Sequence, residues 1–289
     1  MRSGRASKTA EHNALFRALE ARRPEDDRGV NDLLAEGFLS WRFKLVTAPA
    51  RWRVWRDAVT TFIDRRWPGV RPTVLARTRL IDETIAEVLD KAPQVVILGA
   101  GLDTRAWRLP ALAETTVFEV DHPDTQRRKQ SLLHRRHLDP ARVRFIPTDF
   151  NLGHLDIAMA DASFDPTIPT LFLWEGTTNY LSAEAVDATL RWCARAAAGS
   201  QLIFTYINED VLIDPGQYVG AERVFSTVER ADEPMTFGLA PDTLAQYLAE
   251  RGLQLVMDVG AASFRQQFFG LASQATHGHE FYRVAHARI

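Results

Sequence analysis

The stretch from Gln94 to Leu109, QVVILGAGLDTRAWRL, followed by VFEVDHP from Val117 to Pro123, constrains the fold more than any other part of this chain. An apolar run meets a glycine turn, a helical segment, a second apolar run and then an acid. That is the order of a βαβ unit in which glycines let backbone approach a nucleotide and the acid accepts hydrogen bonds from ribose hydroxyls. The glycines are Gly99 and Gly101, but Leu102 and Arg105 stand where a dinucleotide fingerprint needs a third glycine and another small residue. A pyrophosphate requires a close, anion-friendly turn. This loop offers the carboxylate of Asp103 and the guanidinium of Arg105 instead, which suits a ligand without phosphate. Adenosine bearing an amino-acid tail fits it better than a dinucleotide, and a nicotinamide-dependent oxidoreductase is disfavoured on the same ground.

From Gln94 onward, apolar strand-like runs alternate with helical segments. Strands are expected at 95–98, 117–120, 142–147, 170–174 and 201–206, with 253–259 and 281–286 as a closing antiparallel pair rich in β-branched and aromatic residues. Between them, helices are expected at 126–137, at 183–198 before a Gly199 stop, and at 241–251. The expected fold is α/β: a doubly wound, seven-stranded, mostly parallel, Rossmann-like sheet. An N-terminal helical cap (1–90) precedes the cofactor-binding core (91–207). An insertion (208–241) covers the active site, and 242–289 completes the core. In the cap, helices are expected at 6–23, 30–46, 50–67 (ended by Pro68-Gly69) and 74–89. The cap holds Trp41, Trp52, Trp55 and Trp67, four of seven tryptophans, which suits either a substrate lid or ordinary helix packing.

At 289 residues with 46% hydrophobic and 25% charged residues, the chain can bury a large core. A net charge of -2 gives a nucleic-acid partner no support. Residues 1–90 are mildly basic, with 17 Lys/Arg against 13 Asp/Glu, as an acidic substrate or simply an Arg-rich surface would require. Cys193 is the single cysteine, which excludes a disulfide scaffold and a thiolate metal site. No apolar run approaches the roughly 18 residues of a membrane span, and the N-terminus lacks the apolar stretch of a signal peptide. A cytoplasmic protein with neither nucleic-acid nor membrane partner is expected, its state (monomer or homodimer) left open.

Four ordered blocks, GAGLDTRAWRL, FEVDHP, FIPTDF and EGTTNYL, resemble the family of S-adenosylmethionine-dependent methyltransferases that includes leucine carboxyl methyltransferase and bacterial polyketide and natural-product O-methyltransferases. The resemblance covers residues 6 to 205 and implies a class I methyltransferase fold with S-adenosylmethionine as cofactor. Gly99, Ala100 and Gly101 would then face its methionine portion. Asp103 would accept from the α-amino group or cap the following helix, with Arg105 bracing the loop through Asp103 or Glu119. Asp121, at the end of the second strand, is the expected ribose ligand, and Glu119 is expected to anchor Arg105 or another basic group. Asp149 and Phe150 match the family's adenine pair, the acid also being a candidate helix N-cap. Glu175 at the fourth strand end points to the methionine amino group or the ribose edge. Tyr180 is either a cleft wall or packing against the sheet. His122 lies beside Asp121, although Pro123 favours a structural turn. For the cofactor carboxylate the resemblance favours Arg77 over Arg79, and it brings Lys8 of the N-terminal arm toward the cofactor.

Methyl transfer is an in-line displacement that mainly needs alignment and exclusion of water. A carboxylate acceptor is ionised at neutral pH and needs a clamp, for which Arg17, Arg42 and Arg223 are candidates, whereas a phenol or alcohol is helped by a base. No catalytic residue stands out: His12, His122, His137, His154, His277 and His279 are scattered, and His277 with His279 lacks a third metal ligand nearby. The expectation is methylation of a small aromatic or polyketide-type natural product, a carboxylate acceptor favoured over a hydroxyl. A non-catalytic S-adenosylmethionine-binding module is the other reading.

Overall fold

In the computed structural model, residues 7–89, 92–150, 155–270 and 277–289 are described. Seven strands form one sheet: β1 (Gln94–Leu98), β2 (Thr116–Asp121), β3 (Val143–Pro147), β4 (Thr170–Trp174), β5 (Gln201–Ile207), β6 (Gln254–Gly260) and β7 (Tyr282–Arg288). Their spatial order is β3-β2-β1-β4-β5-β7-β6. The first five are parallel, and β7 runs antiparallel between β5 and β6. This is the doubly wound α/β fold expected from the strand pattern.

The helices are α1 (Lys8–Glu20), α2 (Trp41–Thr47), α3 (Arg53–Arg66), α4 (Val70–Val88), α5 (Arg105–Arg108), α6 (Pro123–Arg135), α7 (Leu155–Asp161), α8 (Ala183–Cys193), α9 (Asp210–Ile213), α10 (Ala221–Glu229), α11 (Leu244–Ala249) and α12 (Ala261–Phe269). Every residue of β1, β4 and β5 is buried, as parallel strands covered on both faces must be. Alternate side chains feed different layers. Val95, Ile97, Leu171 and Leu173 pack with Ile81 of α4 and Phe264 of α12. Val96, Leu98, Phe172 and Trp174 pack with Val186 and Leu190 of α8 and Leu244 of α11. The cap has a third core, in which Leu15 and Leu19 of α1 meet Phe38, Ile63 and Val74. Leu102 of the glycine loop belongs to this cap core, so the loop is seated between cap and sheet.

Several expectations are corrected. Residues 30–46 do not form one helix. A 3-10 turn at Ala35–Phe38 gives way to extended backbone at Leu39 before α2 begins. Buried Asp32 directs this break by accepting from Ala35 N–H, Arg17 and Thr104. The crossover helix after β1 shrinks to the four residues of α5, because Leu109 turns extended (φ -89, ψ 115) ahead of Pro110. Helix α4 starts at Val70, earlier than expected, with Pro72 in its first turn, where its missing N–H costs nothing. The helical segments expected at 183–198 and 241–251 are shorter, as α8 and α11. Helix α12, between the two antiparallel strands, was not expected. His154 lies outside the described residues.

Beneath the sheet's carboxyl rim, Glu119 of β2 and Lys129 of α6 form a pair in which both side chains are about 1% exposed, with Nζ 2.6 Å from Oε2. Glu119 therefore anchors Lys129 rather than Arg105. Burial outweighs the lysine's attraction and pushes the Glu119 carboxyl up to about 7 from 4.5. The folded state then binds a proton that the unfolded chain has already released, so stability falls as pH rises between these values. Replacing Glu119 by Gln should flatten that part of the stability curve, by on the order of 1 kcal/mol or more. Urea unfolding of both proteins across this range checks it, and parallel curves would refute the assignment.

Candidate cofactor cleft and adjoining chamber

Ligands of open α/β sheets bind beyond the carboxyl ends of the strands, where the connections diverge. Here β1 lies between β2 and β4, and the turns after β1, β2, β3 and β4 converge. They line a cavity of about 280 Å³ whose wall includes Gly99, Ala100, Gly101, Asp103, Asp121, His122, Asp149, Phe150, Glu175 and Tyr180, together with Arg77 of α4. Apart from Lys8, the cofactor residues expected from the sequence thus face one cavity.

The glycine loop turns sharply because Gly99 adopts φ +65, and a Cβ there would lie 2.1 Å from Thr177 Oγ1. The N–H groups of Gly99 and Ala100 donate to Val120 O. The Asp121 carboxylate accepts from Gly101 N–H and, at 2.6 Å, from His122 N–H. Burial raises the Asp121 pKa, and those two backbone bonds oppose the rise. His122 is a cap as well as a wall: its Nδ1 accepts from Asp124 N–H at the start of α6. Phe150 sits 6.2 Å from Trp174, ring to ring. Thr148 Oγ1, also on the cavity wall, is buried without a hydrogen-bond partner among the described residues.

A buried ion network stands behind Arg77, Asp103 and Glu175 of the cavity wall. Arg105 reaches Asp82 of α4 at 2.6 Å, Asp103 in the loop and Glu175 at 2.6 Å. Glu175 also accepts from Arg77 Nε at 2.7 Å, and Arg108 reinforces Asp82 at 2.6 Å. Burial alone would raise the Glu175 pKa, but Arg105 and then Arg77 hold it down to about 2. The same competition keeps Asp103 below the usual carboxylate range, with Arg105 the main opponent of burial. Asp103 also accepts from Arg105 N–H. Both oxygens of Glu175 are therefore taken by guanidinium groups. The Arg77 Nη atoms make no hydrogen bond among the described residues, and the guanidinium lies 4.9 Å over the Tyr282 ring.

A second cavity of about 500 Å³ adjoins the first. Its wall is chiefly apolar, with Phe16, Phe43, Trp55, Val59, Phe62 and Met235 among its residues, and no Asp or Glu among the described ones. Thr9, Asn13, Arg77, Gly176 and Tyr180 line both cavities, so Tyr180 is a shared partition. The helical cap supplies most of the second chamber. Trp55 and Trp67 face it, but Trp41 and Trp52 are exposed.

Other expectations fail. Lys8 is exposed and absent from both walls; its neighbours Ser7 and Thr9 face the first cavity instead. Arg79 pairs with Glu83 on the outside of α4. Arg17 lines the first cavity, but its guanidinium is spent on Asp32 and Leu102 O. Arg42 stacks on Trp41, and Arg223 donates to Arg65 O; neither lines a cavity. His277 is exposed, while His279 is buried against Tyr282 at 5.2 Å, burial pushing its imidazole down to about 3. No group of three or more metal-ligating side chains occurs among the described residues. Conversely, sequence reasoning missed Glu233, which accepts from both Thr9 N–H and Thr9 Oγ1 and ties the 208–241 segment to α1 across the cleft. The pair is 224 residues apart, and no local signal announces it.

The sequence profile of the leucine carboxyl methyltransferase family matches residues 10–194. A protein of Mycolicibacterium smegmatis described as an S-adenosyl-L-methionine-dependent methyltransferase is 34% identical over 74% of this chain and 74% of its own. The Bacillus subtilis YktD protein, described likewise, is 30% identical over 68% and 66% respectively. Among solved structures, a protein of Thermobifida fusca described as a methyltransferase shares the fold with a TM-score of 0.61 at 16% identity, covering 98% of this chain and 95% of that one. The chain belongs to the leucine carboxyl methyltransferase family and is an S-adenosylmethionine-dependent methyltransferase.

Arg105 compensates three carboxylates at once, and its removal should behave accordingly. Arg105→Met is expected to cost about 3–5 kcal/mol, the penalty for stranding buried charge, measured as a lowered urea midpoint. A loss below about 1 kcal/mol, the worth of a surface pair, would show that the network carries little of the cleft's stability.

Proposed function

We propose that this methyltransferase acts on oxygen, methylating a small aromatic or polyketide-type natural product, with a carboxylate as the favoured acceptor and a methyl ester as product. The observation that carries this reading is the meeting of a polar, loop-lined cleft and an apolar chamber at Thr9, Asn13, Arg77, Gly176 and Tyr180. The first cavity fits S-adenosylmethionine by its donor set. Among the described residues it has a guanidinium whose Nη groups make no hydrogen bond, a carboxylate at a strand end, a buried hydroxyl without a partner and an aromatic wall.

Arg77 would hold the amino-acid carboxylate and Asp121 the ribose hydroxyls, while Asp149 and Phe150 take the adenine edge and face. Gly99, Ala100 and Gly101 would pass along the methionine portion. Asp103 and Glu175 act by fixing Arg105 and Arg77, His122 by holding the turn after β2, and Tyr180 by dividing the two cavities. When bound, the cofactor supplies a methyl group on a positively charged sulfur. The chain's own work is to orient an acceptor oxygen toward the partition and to keep water out. A carboxylate needs no base, and the second chamber's described wall presents no like charge to repel it. Its aromatic and aliphatic surface suits a planar or polyketide-like body.

A hydroxyl acceptor is favoured by one observation. His12 faces the chamber, its imidazole pKa lowered by burial, with no hydrogen bond among the described residues. It is therefore a neutral base at pH 7. Transfer of labelled methyl to aromatic polyketide acids and their matched phenols, followed by alkali, separates these readings. Base-labile product is expected. Base-stable product would move the reaction to a hydroxyl and to His12, and cofactor binding without transfer to any acceptor would indicate a binding module.

Asp121→Ala should weaken S-adenosylmethionine binding by tenfold or more, roughly the worth of a charge-assisted bidentate contact, while the unfolding transition stays cooperative. Calorimetric titration with unchanged affinity would remove Asp121 from the cofactor site.

A further inference from the structure

The cap turns an amphipathic face to solvent. Helix α3 carries Val54, Trp55, Ala58, Val59 and Phe62 at helical spacing, the stripe by which such a helix normally packs into a core. Its buried side chains are Arg56 and Ile63 instead. Val54 is 84% exposed and Phe62 66%. Trp55 Nε1 donates to Val46 O, tying α3 to α2, where Trp41 and Leu45 are also exposed, as is Trp52 at the start of α3. Trp55 and Phe62 line the apolar chamber while remaining exposed, so the chamber opens on this face. Exposed apolar surface of this extent marks a binding site.

Its charge identifies the partner. Residues 41–66 hold seven Arg/Lys and two Asp in a chain of net charge -2. Asp57 is paired with Arg53 and Arg56, and Asp64 with Arg71. Arg42, Lys44, Arg51, Arg65 and Arg66 have no ion pair among the described residues, and Arg42 and Arg51 stack on the exposed Trp41 and Trp52. A two-fold contact with a second copy would set these cations against each other. Tryptophans and aliphatic side chains flanked by arginine match an anionic bilayer interface, where apolar residues enter the headgroup boundary and cations meet the lipid phosphates.

We infer that the α2–α3 face docks on an anionic lipid surface, placing the mouth of the apolar chamber at the bilayer. The contact is interfacial, since no described helix is long and apolar enough to cross a membrane, and it replaces the expectation of no membrane partner. That the face admits a lipophilic acceptor rests on the methyl-transfer reading; the docking does not.

The test is co-sedimentation of the full chain with vesicles of phosphatidylcholine alone and of phosphatidylcholine mixed with phosphatidylglycerol. Binding should rise about tenfold or more with the anionic lipid and weaken as salt is raised. Val54→Asp and the double variant Arg42→Glu/Arg51→Glu should each reduce it by a similar factor. None of these residues lines either cavity, so S-adenosylmethionine affinity should not change, which confirms a folded cap. Failure to pellet with either vesicle, or pelleting that ignores charge and both variants, overturns the proposal. A dimer in sedimentation velocity that Val54→Asp dissociates would assign the face to a second copy, and retention on an acidic protein without vesicle binding would assign it to a protein partner. Loss of the methyl-transfer reading would show separately, as wild-type protein that pellets with anionic vesicles yet does not bind S-adenosylmethionine.

Discussion

The guanidinium of Arg105, 3% exposed, is the tie on which the candidate cofactor cleft depends. It joins Asp82 on α4, Asp103 in the loop after β1 and Glu175 in the loop after β4, and Glu175 passes the connection on to Arg77. Removing each such ion from water costs several kcal/mol even after relaxation. The cluster therefore persists only while its cations and carboxylates stay matched. Two loops and a helix that share no continuous backbone are held in one arrangement by this requirement. The glycine loop can then be short and turn sharply at Gly99 without wandering.

The network also sorts the cleft's carboxylates by what they have left to offer. Glu175 and Asp103 are held ionised and are occupied by arginine. Glu119, beneath the rim, is paired with Lys129 at 2.6 Å. Of these and Asp121, only Asp121 has no salt bridge among the described residues; it is held by two backbone N–H groups and faces the cavity. A carboxylate saturated by guanidinium is a poor acceptor for neutral hydroxyls. One positioned by backbone alone keeps lone pairs for them.

The strands and the residues that line the first cavity were legible because each rests on local signals: apolar runs of strand length, a glycine turn, and acids at strand ends. What was illegible depends on distant partners. Glu175 carries no mark of meeting Arg77 and Arg105, 98 and 70 residues away. The failure of 30–46 to form one helix follows from Asp32 capping a turn while holding Arg17 and Thr104, contacts that no helical periodicity records. The helix at 50–67 was expected, but the outward direction of its apolar stripe was not, since periodicity gives a face and only packing says what covers it.

The partition between the cavities draws on three parts of the chain: Thr9 and Asn13 from α1, Arg77 from α4, and Gly176 and Tyr180 from the loop after β4. Its geometry is therefore set by how cap and sheet pack together rather than by any single loop. Gly176 sits there with φ +69, and a Cβ would come to 3.8 Å from Tyr282 Oη and 3.9 Å from Arg77 Nη2. A Cβ there would only touch these two groups, both on the second chamber's wall, in ordinary van der Waals contact. Glycine leaves that contact unfilled, and in-line transfer requires open space between the methyl donor and its acceptor. The cap is then more than a cover. It contributes α1 to the partition and α3 to the second chamber's wall, so on the proposed reading it shapes both the methyl-transfer aperture and the acceptor's chamber.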